Sequence, residues 1–422
     1  MKPMRFPKTL LLSRTLPGTG HVGEIILADV VRHVGIDRFH CVAPVASNYV
    51  NQPDPELVGL SVRTLMTDQL EAKRWGRGKL GAAGSLINGY TGFRSEVARC
   101  TREIVDEGRK VGAGQVFAVL ENPLTFALAH RVSARLQVPM RILVWDPPEY
   151  LLRNHRYDRW SCNTLLREFR HSLAASERVA VVSETMQRDY AAFTKAPIQI
   201  LRHGLPVPES TGSKSDSGLP KEEWLIGFAG SMYANDAWNA LLNALDQVEW
   251  KVAGRPVRIR LLTGKITMQG RHGACIDYLG FRPPEQVQEI LAGCHLTYLP
   301  QPFSANLRDL RRYAFPTKLA NYLVLGRPVF VHAPEDGALS KFVENNPIGV
   351  QANSLESERI LSALERIFLE PSLYESASTD ALKVASLHFS RSVFNSSVDA
   401  FLGIQSRNPV NIPKSCVASP AF

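Results

Sequence analysis

Short apolar runs alternate along this chain with longer stretches whose apolar positions recur every three or four residues. In the first half the runs fall at 9–13, 39–43, 115–120, 141–145, 178–182 and 198–201, where strands are expected. Helical periodicity predicts helices between them, over 23–34, 95–111, 124–136, 163–176 and 184–193. Strands that are apolar throughout belong to a parallel sheet covered on both faces. Residues 206–223 (PVPESTGSKSDSGLPKEE) break the pattern with Pro, Ser, Gly and charge, so an interdomain linker or exposed loop is expected there. The alternation then restarts, with strands at 224–229, 257–263, 276–279, 296–299 and 328–332 and helices at 237–247, 284–293 and 317–325. Further helices are expected over 355–369 and 382–402, ahead of a loose tail.

The expected fold class is therefore α/β, with two Rossmann-like doubly wound domains in tandem. Residues 1–205 form the first domain, 206–223 the linker and 224–381 the second domain; 382–405 form a helix and 406–422 the tail. Ligands of such sheets sit at the carboxyl ends of the strands, so a tandem pair offers a cleft between two such faces. Length agrees, since 422 residues exceed what one ordinary core accommodates. A composition of 45% hydrophobic and 21% charged residues excludes a disordered chain.

No apolar run reaches the roughly 18 residues that a membrane helix needs. The opening MKPMRFPKTLLLS has the order of a signal peptide, but its apolar stretch is short and Arg14 follows, which favours a first buried strand. Six cysteines lie far apart without metal-type spacing, which points to a reducing, cytoplasmic setting and buried, inert thiols. Charge changes the picture more. The first 205 residues carry 28 Lys and Arg against 19 Asp and Glu, while the remainder has 21 of each, so the whole excess of +9 sits in the first half. That half is expected to meet something anionic: phospholipid, a lipid-linked diphosphate or nucleic acid. Nucleic acid is disfavoured because no recognisable module accompanies the charge. A basic composition without functional meaning is the other reading.

Five segments are candidates for chemistry. Leu16–Gly23 (LPGTGHVG) follows the first strand, and its glycines would permit a tight turn or present helix N-terminal amides to an anion; a turn requiring positive φ explains them equally. RILVWDPPEY ends a buried strand at Asp146, which would orient a substrate hydroxyl, act as a base, or merely cap the next turn. Arg153, Arg156, Arg159, Arg167 and Arg170, with His155, His171 and Trp160, form either a solvated face or a membrane-surface or lipid-diphosphate contact. LIGFAGSMY places Gly230 and Ser231 at a sheet edge suited to a phosphate, or in a plain strand-to-helix turn; YLGFR closes another strand in the same way. The most specific segment is RRYAFPTKLANYLVLGRPVFV: a Pro at a helix start, Lys318 in its first turn, a Gly stop and then a strand.

LIGFAGSMY, YLGFRPPEQVQEILAGCHLTYLP and FPTKLANYLVLGRPVFVHAPEDGALSKFVENNPIGV resemble the nucleotide-sugar-binding half of glycosyltransferase family 4, of the GT-B fold, and SERVAVVSETMQRDY…IQILRHGL resembles the end of that family's first half. The resemblance implies a GT-B glycosyltransferase, retaining and metal-independent, that moves a sugar from a nucleotide-sugar donor to a saccharide or lipid-linked acceptor in cell-surface polysaccharide or glycoconjugate synthesis. It implies a last helix crossing back onto the first domain. It places the donor at Gly18, Gly20, Gly230, Ser231, Phe281, Arg282, Phe315, Pro316, Thr317, Lys318 and Asn321, with Asp146 and His21 as catalytic residues. No metal and no cofactor are expected, the nucleotide sugar being a substrate. A peripheral contact between the basic half and the anionic inner membrane face is a further expectation.

The chain departs from that pattern in two places. The loop that usually carries an Arg and a Lys reads GSMYAND, and the usual paired glutamates, with seven residues between them, fall at Tyr313 and Asn321. Lys318, Arg311 or Arg312 would then supply the missing charge. A catalytically weak glycan- or nucleotide-sugar-binding protein and a GT-B epimerase are the alternative functions.

Overall fold

The computed structural model describes residues 7–46, 48–67, 79–155, 157–207, 219–264 and 274–404, with backbone alone for 79–90. Residues 1–6, Arg156, most of the expected linker, Cys416 and the expected tail lie outside the described residues. The chain forms two compact units: residues up to Leu201 together with those from Asn395 onward, and Arg202–Phe394.

The first unit contains β1 (Thr9–Leu12), β2 (Phe39–Val45), β3 (Ser61–Met66), β4 (Gln115–Val119), β5 (Met140–Val144), β6 (Arg178–Val181) and β7 (Ile198–Ile200). Their order is β3-β2-β1-β4-β5-β6-β7, and every pairing is parallel. β1, β2, β4 and β5 are buried along their whole length, as their apolar runs require. β3 had no such signal: it is an edge strand with only Leu65 buried, so its polar sequence SVRTLM never forms an apolar run. Helix starts follow local chemistry. Asn122 and Thr125 form a reciprocal capping box ahead of the helix Pro123–Leu136, and Ser183 accepts from the Met186 N–H at the start of Glu184–Tyr190.

The second unit contains β8 (Trp224–Ala229), β9 (Lys251–Val252), β10 (Arg255–Leu262), β11 (Ile276–Tyr278), β12 (Leu296–Pro300), β13 (Val329–His332) and β14 (Gly349–Ala352). The order is β11-β10-β8-β12-β13-β14, parallel throughout, with β9 added antiparallel to β10. Its core holds Trp238, Tyr298 and Phe330, all fully buried, and Trp224 stacked on Phe368 at 4.2 Å. Each such burial contributes about 2–3 kcal/mol, and an aromatic stack adds about 0.5–1.5 kcal/mol. Both sheets are doubly wound and Rossmann-like, as the strand–helix alternation predicts.

The helix expected over 382–402 is two helices, Pro371–Phe389 and Arg391–Leu402. Ser390 between them is extended, and it bridges Leu205 through Leu205 N–H to Phe389 O and Arg391 N–H to Leu205 O. Gly204 has no room for a side chain there, since a Cβ would lie 2.4 Å from that of Phe394. The last helix starts in the second unit and from Asn395 belongs to the first. In the first unit Phe401 meets Phe117 edge to face at 5.2 Å, and the buried Arg141 donates to Phe401 O at 2.8 Å. Among the cysteines, Cys41, Cys100 and Cys294 are buried, and burial pushes their thiols up to about 12; Cys162 and Cys275 are only half-buried, so the expectation of buried thiols fails for them. No described helix is long and apolar enough to cross a membrane.

Gly349 opens β14 at φ +157°, and a Cβ there would lie 2.1 Å from Val329 O in the neighbouring strand. Gly349→Ala is expected to destabilise the second unit by about 2–4 kcal/mol, because the clash is with backbone that cannot move without breaking the ladder. A lowered urea midpoint for that unit, followed by hydrogen exchange in β13 and β14, checks this.

Candidate functional site

In a doubly wound sheet the strand order reverses at one point, and the crossing helices leave a crevice at the carboxyl edge there. In the first unit that point lies between β1 and β4. Glu121, two residues past β4, occupies it. Its carboxylate accepts from Ser13 Oγ at 2.7 Å, Thr15 N–H at 2.8 Å and Thr15 Oγ1 at 2.7 Å, which pins the chain as it leaves β1. Glu24, 1% exposed in the helix Val22–Val34, accepts from Gly20 N–H at 2.8 Å and lies 3.3 Å from His21 Nε2. Tyr49 accepts from Leu16 N–H at 3.1 Å and hydrogen-bonds Glu24; burial, then the charges of Glu24 and Glu121, push its phenol above the ordinary value.

The glycine loop differs from the expectation of free amides. Gly18 N–H donates to Glu24 O, Thr19 N–H to Gln52 O and Gly20 N–H to the Glu24 carboxylate, so these donors are already occupied. Neither do Gly18, Gly20 or Gly23 adopt positive φ. Close approach is the reason for them: a Cβ on Gly18 would lie 2.4 Å from Gln52 O, and one on Gly20 2.8 Å from Glu24 Oε2. His21, 55% exposed, is left at the loop's end with a buried carboxylate behind its ring. A buried carboxylate orienting an exposed imidazole is the arrangement of a general acid or base.

Asp146 follows β5. The helix Pro148–Asn154 takes Pro147 as N-cap and receives no side-chain cap, so capping does not explain this carboxylate. Burial, followed by the charge of Glu121, pushes the Asp146 carboxyl up to about 6. The first unit thus brings Asp146, Glu121, Glu24 and His21 to its carboxyl edge, a set that can bind hydroxyls and exchange a proton near neutral pH.

The second sheet reverses between β8 and β12. Gly230, just past β8, has φ +91°, a backbone conformation that calls for glycine, and a Cβ there would lie 2.9 Å from Lys318 Cε. Lys318 donates to Ser231 O, and its ammonium lies 4.3 Å above the Phe228 ring and 5.6 Å from that of Tyr233. Burial pulls this ammonium down to about 7. No carboxylate within ion-pair distance of it is found among the described residues. Tyr322, buried in the same short helix Lys318–Leu323, accepts from Ala229 N–H at 2.9 Å and fixes the end of β8.

Two strands along the same edge, past β11, the Phe281 ring is 74% exposed and rests on Gly264, where a Cβ would lie 3.1 Å from the ring. Arg282 is exposed beside it, donating to Phe281 O at 3.0 Å. Gly264 follows β10, the strand next to β8.

Other expected donor contacts sit differently. Phe315 is a packing residue: the Arg202 guanidinium lies 3.7 Å over its ring, and Phe342 and Phe389 lie at 5.1 and 6.0 Å. Pro316 is buried, while Thr317 is half-buried as N-cap without a side-chain cap. Asn321 is exposed on its helix and Tyr313 is half-buried beneath Arg312. Arg311 does not replace lost donor charge, because it is committed to Asp336 (Nε–Oδ1 2.9 Å) and to the carbonyls of Phe303 and Ser304.

Glu24, Glu121, Tyr49 and Tyr322 were not expected from the sequence. Glu121 had the signal that marked Asp146, a carboxylate ending an apolar strand, and Glu24 is an acid one turn after a glycine loop. The two tyrosines carry no signal that separates them from core aromatics.

No family model matches the chain, and no curated protein matches it by sequence. Solved structures match in fold. Anabaena HepE in complex with UDP and glucose is 13% identical over 94% of this chain and 99% of its own, with a TM-score of 0.58. Sucrose-phosphate synthase from Thermosynechococcus elongatus is 12% identical over 93% and 98%, at 0.64. The α,α-trehalose 6-phosphate synthase from Burkholderia multivorans is 12% identical over 94% and 97%, at 0.63. The likeness shows the two-domain GT-B fold.

Asp146 yields a prediction with a definite sign. Its carboxyl is raised from 3.8 to about 6, so the folded protein holds the proton more tightly, and stability falls as pH rises through that window. Asp146→Asn is expected to remove the slope and to stabilise the first unit by roughly 1–3 kcal/mol at neutral pH. Urea midpoints of both proteins across the window check it; coincident profiles would leave Asp146 an ordinary carboxylate.

Proposed function

We propose that this chain is a glycosyltransferase, akin to family 4, that moves a sugar from a nucleotide-sugar donor to a saccharide or lipid-linked acceptor. Lys318 carries the reading: a half-buried cation against an aromatic face, beside Gly230 and Ser231 and without a carboxylate partner among the described residues, calls for an anion. The exposed Phe281 ring further along the edge would stack a base. Structures of the same fold point the same way, since HepE was solved with UDP, glucose and UDP-glucose, and the others are sugar-phosphate synthases by name.

In this reading Lys318 stabilises charge on the departing diphosphate, a role worth more in a dry site than in water. Asp146 and His21 position the sugar hydroxyls or relay the acceptor proton. Transfer is retaining and needs neither metal nor cofactor. The protein acts in the cytoplasm, with the basic first unit and its exposed Trp160 resting on an anionic membrane where the acceptor is lipid-linked. A second reading, a binding protein with weak turnover, draws on Tyr313 and Asn321 in place of the paired acids.

Thermal-shift screening with UDP-, GDP-, ADP- and CMP-sugars identifies the donor, and transfer assays with that donor separate the two readings; release of an isomerised sugar without acceptor would mark an epimerase instead. Lys318→Ala is expected to weaken nucleoside diphosphate binding about tenfold or more. Because the binding form is the ammonium and its titration lies at about 7, wild-type affinity falls as pH rises above that value, while the variant stays flat. Equal affinity in both proteins would remove Lys318 from the site.

A further inference from the structure

Two helices of the first unit, Pro123–Leu136 and Arg159–Ala174, pack side by side. Along their contact three metal-ligating side chains meet. His130 comes from one helix, and Glu168 and His171 from the other, where a spacing of three puts them on one face. One ligand atom from each lies within 4.8 Å of the others. The rings of His130 and His171 meet edge to face with centroids 6.1 Å apart.

The tautomer of His130 is set from behind. Fully buried Ser172 donates its hydroxyl hydrogen to Phe126 O at 2.8 Å, so its oxygen is an acceptor. His130 Nδ1, 3.1 Å from that oxygen, is therefore the donor. Nε2 keeps a lone pair, and that lone pair stands 3.5 Å from Glu168 Oε2. Two electron-rich atoms so placed repel, whereas a cation between them turns the repulsion into two bonds. Ligands of a tetrahedral ion with bonds of 2.0–2.1 Å are about 3.4 Å apart, which is the separation found. The carboxylate is pinned too, by Arg131 at 2.5 and 2.9 Å, and each of its oxygens retains a second lone pair. A histidine backed by a hydrogen bond and a carboxylate held by a neighbour are what ordered metal ligands require.

We propose that His130, Glu168 and His171 bind a borderline divalent ion, zinc by the nature of the ligands, which staples the two helices together and leaves a fourth position to water. His171 is exposed and closes the site by turning its ring inward. None of the three belongs to the carboxyl-edge set, so the staple is separate from sugar transfer. The Arg131 charge opposes the ion and lowers its affinity.

The test is calorimetric titration of the chelator-treated full chain with zinc alone, with cobalt absorption reporting the ligand geometry. Wild type is expected to bind one equivalent and to melt higher with zinc. His171→Ala, which removes an exposed ring and opens no buried hole, should lose roughly tenfold to a hundredfold in affinity, and Ser172→Ala about tenfold. Nucleotide binding should be unchanged in His171→Ala. A wild type that binds no zinc, or a His171→Ala protein that binds it as tightly, would overturn the proposal.

Discussion

Parallel strands cannot be joined by hairpins, and this constraint organises the whole molecule. Apart from the β9–β10 hairpin, every strand-to-strand connection must cross from one edge of its sheet to the other, so the loops that leave the parallel strands collect at the carboxyl edge. Each sheet then reverses direction once, between β1 and β4 in the first unit and between β8 and β12 in the second. At those reversals the chain exposes backbone and side chains that no crossing helix covers. Glu121 and the glycine loop occupy one reversal; Gly230, Ser231 and Lys318 occupy the other.

The two reversals have opposite polarity. In the first unit carboxylates dominate, and the backbone amides nearby are consumed by Glu24 and Gln52, which leaves a surface that recognises hydroxyls better than anions. In the second unit the neighbouring acids are engaged elsewhere: Asp236 accepts from the Phe303 and Ser304 amides, and Asp336 holds Arg311. Lys318 is thereby left without a counter-charge among the described groups, against an aromatic floor. An acidic edge in one unit and a cationic edge in the other are what the proposed transfer asks of them.

Most of the fold was legible because buried parallel strands write themselves as unbroken apolar runs. β3 and β14 escaped for one reason: they stand at sheet edges, where half the positions are polar. The site was legible less evenly. Gly230 and Lys318 stand together at the end of β8, whereas Phe315, three residues before Lys318, serves the packing around Arg202. A motif records that a residue type is needed, not whether it faces ligand or core. The glycines of the first loop make the same point, since they were read as amide donors or positive-φ turns and are instead a matter of clearance from Gln52 and Glu24. The break at Ser390 was invisible because its cause, Leu205, lies far away in sequence.

The return of the last helix has a consequence for synthesis. Buried Arg141 takes Phe401 O as an acceptor, and Phe117 is covered by the Phe401 ring. Residues up to Leu201 leave the ribosome long before Phe401 exists. At about 5–20 residues per second the nascent first unit waits on the order of 10–40 seconds with that patch bare. During that interval its stability is lower than that of the finished protein, and its apolar surface is open to chaperones. Completion of the first-made unit is therefore coupled to the last-made segment, so a chain truncated before the final helix leaves the first unit unfinished even though every one of its strands has been made.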